Sequence, residues 1–436
     1  MLTFGFKRFV LAALIAASCI AFDWVGVAYC SEADDATPLA KALAMWMERD
    51  VDLASIGNEP VRSKAEAKAI VAALDALYTD QERRERKRIT PSLHSLTALF
   101  QNFETREAYD VLSAEGLTTL RKFVKDALDG KELDDPSDVL FILKILAGYQ
   151  QREDVAFIVQ AARKPLEPDA YMWHAVLETF DDEHPHSPEL MKALAVTPPS
   201  GFVAVAFLDM SNALARAGKA ERHPFDSPAG RKQIEAWLRD DDEKHFSYAH
   251  SAAAALPFIA KEVREPLLAM AEKHPDVNVR MEAAWARVKS GNETGVDSLL
   301  KLCLDPSYSR KAVLYLQDLG LGDRVPAKCR EPEFQAISEM AEWLAHPQEF
   351  GRPPDAVDVY DSRELYWPPT KDKRRLTLVK YTYKGDNGNE PRSGIGMVGS
   401  VTFALFGEAT PDLPPEDVYG LHCCWELMIN KATGAP

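Results

Sequence analysis

Apolar residues recur at spacings of three and four along most of the chain, a pattern typical of helices with one buried face. Ile70 and Leu74, for example, share one face of a predicted helix. Ser63 and Glu66, spaced as in a capping box, stand where that helix would begin. The pattern continues almost without interruption over residues 37–345 and predicts a mostly α-helical protein.

One helix-pair pattern occurs twice between Asp276 and Gly320, with a period of about 30 residues. In the first unit, Met281, Ala284 and Val288 lie on one apolar stripe. A hairpin cannot bury such a stripe alone, whereas stacked hairpins bury it continuously, so the repeat predicts a helical solenoid. Equivalent places in the two units carry matching residues: Asp276 and Asp305, Arg280 and Arg310, Ala283 and Ala312, Gly291 and Gly320.

The segment HPDVNVRMEAAWARVKSGNETGVDSLLKLCLD resembles a HEAT repeat of the short kind also found in phycobilisome-lyase-like proteins. The following segment, DPSYSRKAVLYLQDLGLGD, is similar to it. The resemblance implies a HEAT-like α-helical repeat domain, which we place at residues 35–350. Its fixed positions serve packing, so it implies architecture rather than an activity. The bilin-lyase activity of some relatives has no matching catalytic motif here.

The composition changes near residue 350, where prolines become frequent and the helical stripe ends. We therefore expect a proline-rich connection at 351–375 and a small antiparallel β domain at 376–436. The predicted strands are Leu376–Tyr383, Met397–Phe406 and Val418–Asn430, with DAVDVY as a fourth candidate. The predicted fold class is thus an α-solenoid of stacked hairpins followed by a small antiparallel sheet.

The predicted last strand carries the residues with most potential for chemistry. Its two faces alternate with a period of two, which puts His422, Cys424 and Glu426 on one face. These three residues are the catalytic candidates of an enzyme or redox protein. The alternative is an ordinary half-buried strand, in which Cys423 is a core residue.

The N-terminus has the pattern of an export signal within residues 1–30. Lys7 and Arg8 precede the apolar run Phe9–Phe22, which is too short to span a bilayer comfortably. A cleaved signal, an uncleaved anchor and a lipoprotein signal at Cys19 are the alternatives. All three predict an exported protein, periplasmic or extracellular, with no transmembrane domain beyond this segment.

The net charge of −16 excludes most modes of nucleic-acid binding, because an acidic chain repels phosphate backbones. Gly394, Gly396 and Gly399 form a GxGxxG pattern, but a predicted strand follows it where dinucleotide binding needs a helix. No cofactor is expected.

Cys303 and Cys329 form a disulfide only if their two loops meet.

His184 and His186 are the candidate metal ligands, because they lie among the carboxylates of DDEHPHSPE. No further ligand is identifiable nearby, so an exposed loop between helices is the competing interpretation.

The features together favour a non-catalytic binding or scaffold protein. Stacked helix pairs leave one surface free for a protein or cell-envelope partner. The alternative is an enzyme or redox protein with its site in the C-terminal sheet, around His422, Cys424 and Glu426.

Overall fold

The computed structural model describes most of the chain. The export signal expected within residues 1–30 lies outside the described residues. The chain divides into two compact units, Met1–Thr119 and Leu120–Pro436. No helix in the described part is long and apolar enough to cross a membrane. The described residues are 37–49, 59–79, 89–131, 137–164, 170–346, 349–385, 391–401, 404 and 407–433.

The first unit is helical throughout its described regular structure. The predicted capping box is confirmed: the Ser63 backbone N–H donates to Glu66 Oε2 at 3.0 Å, and the Glu66 N–H donates to Ser63 Oγ at 3.2 Å. A π-helical segment, Leu112–Gly116, joins its fourth and fifth helices. The helices are α1 (Pro38–Arg49), α2 (Lys64–Thr79), α3 (Ile89–Ala98), α4 (Arg106–Val111) and α5 (Leu117–Leu128), within which the unit boundary falls.

In the described residues of the second unit, twelve further α-helices precede the sheet. They are α6 (Ser137–Gly148), α7 (Asp154–Arg163), α8 (Met172–Leu177), α9 (Ser187–Val196), α10 (Gly201–Arg216), α11 (Pro228–Arg239), α12 (Phe246–Ala255), α13 (Lys261–Ala271), α14 (Val277–Lys289), α15 (Thr294–Cys303), α16 (Ser309–Asp318) and α17 (Pro332–Leu344). Neighbouring helices stack as hairpins, with α6, α8, α10, α12, α14 and α16 packed side by side. We call these six helices the first row. The predicted stack of helical hairpins is confirmed in this unit.

The recurring residues of the repeat have identifiable structural roles. Asp276 caps α14, since its side chain accepts from the Val279 N–H at 3.0 Å. Gly291 and Gly320 follow α14 and α16 with φ of +90° and +72°, a left-handed conformation that suits glycine. Asp305 differs from Asp276 because it accepts from the Ser307 N–H at 3.0 Å, before α16 begins.

The C-terminal region contains a three-stranded antiparallel sheet in the order β1-β2-β3. The strands are β1 (Ala356–Trp367), β2 (Asp372–Tyr383) and β3 (Arg392–Val398). The strand expected at Leu376–Tyr383 is therefore confirmed, as is the candidate DAVDVY, which lies in β1 apart from its first residue.

Three C-terminal predictions were wrong. The segment 351–375 contains β1 and the start of β2 rather than a connection. The strand expected at Met397–Phe406 stops at Val398, because Gly399 has a φ of +111° and a Cβ there would lie 2.3 Å from the Arg375 carbonyl oxygen. The strand expected at Val418–Asn430 is a helix, α18 (Pro415–Thr433).

The sequence of α18 contains helix signals that compete with its period-two pattern. Pro415 is its first residue, and Glu416 and Asp417 lie in its first turn, where acidic side chains favour the helix dipole. Its buried residues Val418, His422 and Glu426 are spaced by four, which fits one helical face as well as alternate strand positions. The spacing of the apolar residues alone fits either a helix or a strand. The residues at the start of the segment, Pro415, Glu416 and Asp417, favour the helix.

Candidate functional site

An ionic cluster around one buried carboxylate crosses the first row at four successive helices. It consists of Arg216 on α10, His250 on α12, Glu282 on α14, and Lys311 and Tyr315 on α16. Glu282 is its centre and only 2% exposed. Four stacked helices therefore meet through one carboxylate, whose position depends on the hairpin stacking itself.

The two oxygens of Glu282 have different surroundings. Oε1 lies 3.0 Å from His250 Nε2 and 3.8 Å from Lys311 Nζ, and it accepts the hydroxyl hydrogen of Tyr315. Oε2 is buried and accepts no hydrogen bond from the described residues, and Arg216 lies 3.7 Å from it. Buried carboxylates need such partners because desolvating an unpaired charge is costly.

The electrostatics of the cluster are dominated by burial and by its mixed charges. Burial alone would raise the pKa of the Glu282 carboxyl, but the hydrogen bond from His250 and the charges of Lys311 and Arg216 lower it overall. Burial lowers the pKa of Lys311, and the nearby Glu282 only partly offsets this effect. Glu282 is thereby kept ionised, since its pKa lies below the usual value.

One ring nitrogen of His250 lies within hydrogen-bond distance of two other members of the cluster. His250 Nε2 lies 2.6 Å from Lys311 Nζ and 3.0 Å from Glu282 Oε1. The nitrogen can donate to Glu282 or accept from Lys311, but one nitrogen cannot do both at once. The tautomer and charge of His250 therefore determine which neighbour it binds.

Polar and charged side chains continue from the ionic cluster along the first row to α8. We call the ionic cluster and this continuation the polar strip. His174 Nε2 lies 3.8 Å from Asp209 Oδ2, and its Nδ1 lies 3.5 Å from Glu178 Oε2. Burial raises the pKa of Asp209, against the effects of a hydrogen bond from Ser251 and of the nearby histidines. The strip thus combines acidic and basic side chains with two histidines.

Trp285 packs against Arg216, one of the two cations of the strip. Its side chain is buried, and its Nε1 donates to Asp318 Oδ2 at 2.8 Å. The guanidinium of Arg216 lies 4.3 Å from the centroid of the indole ring, a cation–π contact. Arg216 and Lys311 nevertheless keep side-chain exposures of 40% and 33%, so both remain accessible to a ligand or partner.

An aromatic ladder lies near the N-terminal ends of α8, α10 and α12, where the Tyr171 ring stacks on His174 with centroids 5.7 Å apart. The ring centroids of Tyr171 and Phe202 are 5.9 Å apart, and those of Phe202 and Tyr248 are 6.1 Å apart. Tyr171 is 74% exposed. Phe202 and Tyr248 are half-buried, and an exposed aromatic residue such as Tyr171 is typical of protein interfaces.

The catalytic candidates do not converge. Because residues two positions apart lie on nearly opposite sides of a helix, Cys424 faces away from His422 and Glu426. His422 is fully buried, and burial lowers its pKa to about 4. The Glu426 carboxylate anchors α18 instead: Trp367 Nε1 and Ser400 Oγ donate to Oε2 at 2.6 and 2.9 Å.

The candidate metal ligands have structural hydrogen bonds. His184 is buried, with Nε2 3.1 Å from the Ala147 carbonyl oxygen, while its Nδ1 accepts from the His186 N–H at 3.1 Å. His186 Nε2 lies 3.1 Å from the Gln150 carbonyl oxygen. The described residues contain no group of three or more side chains arranged to hold a metal ion. This loop therefore packs α9 against the end of α6.

Cys303 and Cys329 lie close together but are free thiols. The Cys329 thiol donates to the Cys303 carbonyl oxygen at 3.1 Å, and burial raises the pKa of Cys303 to about 12. Gly394 and Gly396 lie in β3, and residues 399–401, where a following strand was expected, form neither a strand nor the helix that dinucleotide binding needs.

The ionic cluster was missed in the sequence because its members come from four helices far apart along the chain. One signal was available. Glu282 lies within MEAAW, between residues that are buried on both faces of α14. An acidic residue at such a position needs cationic or hydrogen-bonding partners from neighbouring helices.

Comparison with known families agrees with this architecture. Residues 232–316 match the family model of HEAT repeats. The matched range begins within α11 and ends within α16, so it includes His250, Glu282 and Lys311. No curated protein matches the chain.

Proposed function

We propose that this chain, a HEAT-like helical-repeat protein, is a non-catalytic scaffold that holds a protein or cell-envelope partner outside the cytoplasm. HEAT repeats provide extended surfaces of stacked helices, and such surfaces serve protein interaction. The observation that carries the proposal is the accessible polar and aromatic surface of the first row. We define the docking strip as Tyr171, Phe202, Arg216, Tyr248 and Lys311.

The docking strip combines the two properties that binding surfaces need. Its cations are held by buried groups, Glu282 beneath Lys311 and Trp285 beneath Arg216, so less side-chain entropy is lost when a partner binds. Its aromatic ladder offers large apolar area with few rotatable bonds, as hot-spot residues do. A partner with acidic groups beside an apolar segment fits this strip.

The location rests on the N-terminal sequence. Lys7 and Arg8 before an apolar run of limited length are typical of export signals. The acidic balance of the chain also favours a protein or envelope component over a nucleic acid as partner.

The enzyme alternative has less support from the geometry. His422 and Glu426 lie on the inner face of α18, and Cys424 lies on its exposed side. An open groove lined by Phe103, Arg106 and Tyr109 lies in the first unit, far in sequence from these candidates.

We expect the double variant Arg216→Ala, Lys311→Ala to lose at least tenfold in affinity for the partner, because interface residues of this kind contribute about 1 kcal/mol or more each. The immobilised chain is exposed to separate envelope and cytosolic fractions, and the retained protein is identified and its binding titrated.

The matched control is Val196→Ala, since Val196 is 77% exposed but lies on α9, outside the first row. The proposal predicts one partner from the envelope fraction, retained equally by the wild type and the control. Retention that the double variant does not reduce, or a partner found only in the cytosolic fraction, contradicts it.

A further inference from the structure

Helix α18 has two faces of different kinds. Its inner face packs on the sheet through Val418 and Tyr419, and His422 on the same side is buried. Its outer face is also apolar: Leu421, Leu427 and Met428 are 38%, 43% and 69% exposed. A surface helix is normally polar on its outer side, so an apolar outer face indicates a binding surface.

The outer face has the spacing of a helix-pairing seam. Asp417, Leu421, Cys424, Met428 and Lys431 follow one another at steps of four, three, four and three, and all five are exposed. We call these five residues the outer seam. Such heptad spacing keeps one line of side chains facing a second helix along their whole common length.

The charges of the outer seam complement each other only in an antiparallel pair. Asp417 lies seven residues before Cys424, and Lys431 lies seven residues after it. A twofold axis through Cys424 would therefore place Asp417 of each copy opposite Lys431 of the other. The same arrangement makes the two helix dipoles antiparallel, which is favourable. Because the interface is isologous, the two Asp417–Lys431 contacts form together.

The seam also allows close approach. Gly420 is exposed beside Leu421, and no atom lies within 4 Å of the position that a Cβ would occupy there. Glycine next to a seam lets two helix backbones come near each other. Glu416 is occupied elsewhere, in an ion pair with Arg363 at 3.0 Å, which leaves Asp417 as the seam's acidic end.

We infer that α18 binds the α18 of a second copy of this chain, antiparallel, through the outer seam. A parallel pair would oppose Asp417 with Asp417 and Lys431 with Lys431, which is unfavourable. A membrane surface would require cations along the helix, and only Lys431 is basic within α18. Self-association is separate from the docking strip on the first row.

The first test is the mass of the purified full chain by analytical ultracentrifugation. The wild type is expected to sediment as a dimer, and Met428→Glu as a monomer, because a buried glutamate in the seam costs at least a hundredfold in affinity. Met428 is highly exposed, so the variant keeps its fold. Val196→Glu, at a 77% exposed position on α9, is the matched control and remains dimeric.

The second test fixes the orientation. Asp417→Lys and Lys431→Asp should each weaken the dimer about tenfold, because attraction at both ends becomes repulsion. The double variant carries both changes and should return to within about threefold of the wild type. A short bis-maleimide should join the two copies through Cys424, with Cys423→Ser still cross-linked and Cys424→Ser not.

The inference is overturned by a wild type that stays monomeric at every concentration tested, by a dimer that Met428→Glu leaves intact, or by charge reversals that do not compensate each other. A monomer that binds a different protein through the outer seam also overturns it, because the seam's occupant would then be another chain.

Discussion

Replacing Glu282 by glutamine is expected to lower the free energy of unfolding by about 3 kcal/mol. The wild-type carboxylate compensates Arg216 and Lys311, and its side chain is 3% exposed. Glutamine preserves the volume but removes the charge that these cations need. Because both cations are partly exposed, the expected loss of stability lies at the lower end of the range for broken buried ion pairs.

Urea unfolding at neutral pH measures this effect, and Glu189→Gln is the control. Glu189 pairs with Arg152 at 3.1 Å on the surface, with side-chain exposures of 45% and 78%, so its change should stay below about 1 kcal/mol. Adding Lys311→Met to Glu282→Gln should restore part of the loss, because one uncompensated cation is removed. Equal effects of the two glutamine variants would refute the role assigned to Glu282.

Acidification to pH 5 is expected to cost the folded state about 2 kcal/mol through each of two buried histidines. The pKa of His223 and that of His422 are both lowered by burial to about 4, whereas an unfolded histidine has a pKa of about 6.5. Below pH 6.5 the unfolded chain binds protons that the folded chain does not. Stability is therefore lost as the pH falls from 6.5 towards 4.

His223 shows why the folded protein resists protonation. Its Nδ1 accepts from the Phe225 N–H at 3.3 Å, and its Nε2 lies 3.1 Å from Asn212 Oδ1. A second ring proton would remove the acceptor that Phe225 uses. The neutral ring with its proton on Nε2 thus suits both contacts.

The measurement compares urea unfolding of the wild type and His422→Gln at pH 7 and pH 5. Because glutamine does not titrate in this range, the variant should lose about 2 kcal/mol less than the wild type on acidification. Val196→Ala, at a 77% exposed position without a titratable group, is the control and should keep the acid response of the wild type. An acid response of His422→Gln equal to that of the wild type would contradict the assignment.

Much of the architecture could be predicted from the sequence, because local signals specify it. The period-3.6 stripes, the cap at Asp276 and the glycines after α14 and α16 all depend on residues a few positions apart. The helix α18 was mistaken for a strand because its apolar residues satisfy both periods over a short segment. The start signal at Pro415 carried the information that distinguishes the two.

The candidate site could not be predicted in the same way, because it depends on stacking. Arg216, His250, Glu282 and Lys311 come from four helices and meet only when the hairpins pack in register. Charged residues on a helix are usually solvated, and of these four only Glu282, within MEAAW, carries a local sign of burial. The aromatic ladder from Tyr171 to Tyr248 likewise exists only between neighbouring first-row helices.

Site-specific photo-cross-linking in cells tests the central claim, that the first row is the surface that holds a partner. A benzophenone amino acid replaces Tyr171 in the docking strip or, in a separate strain, Val196 on α9; these residues are 74% and 77% exposed. The account predicts one discrete adduct from position 171 and none from position 196. No adduct at position 171, or the same adduct from both positions, would contradict it.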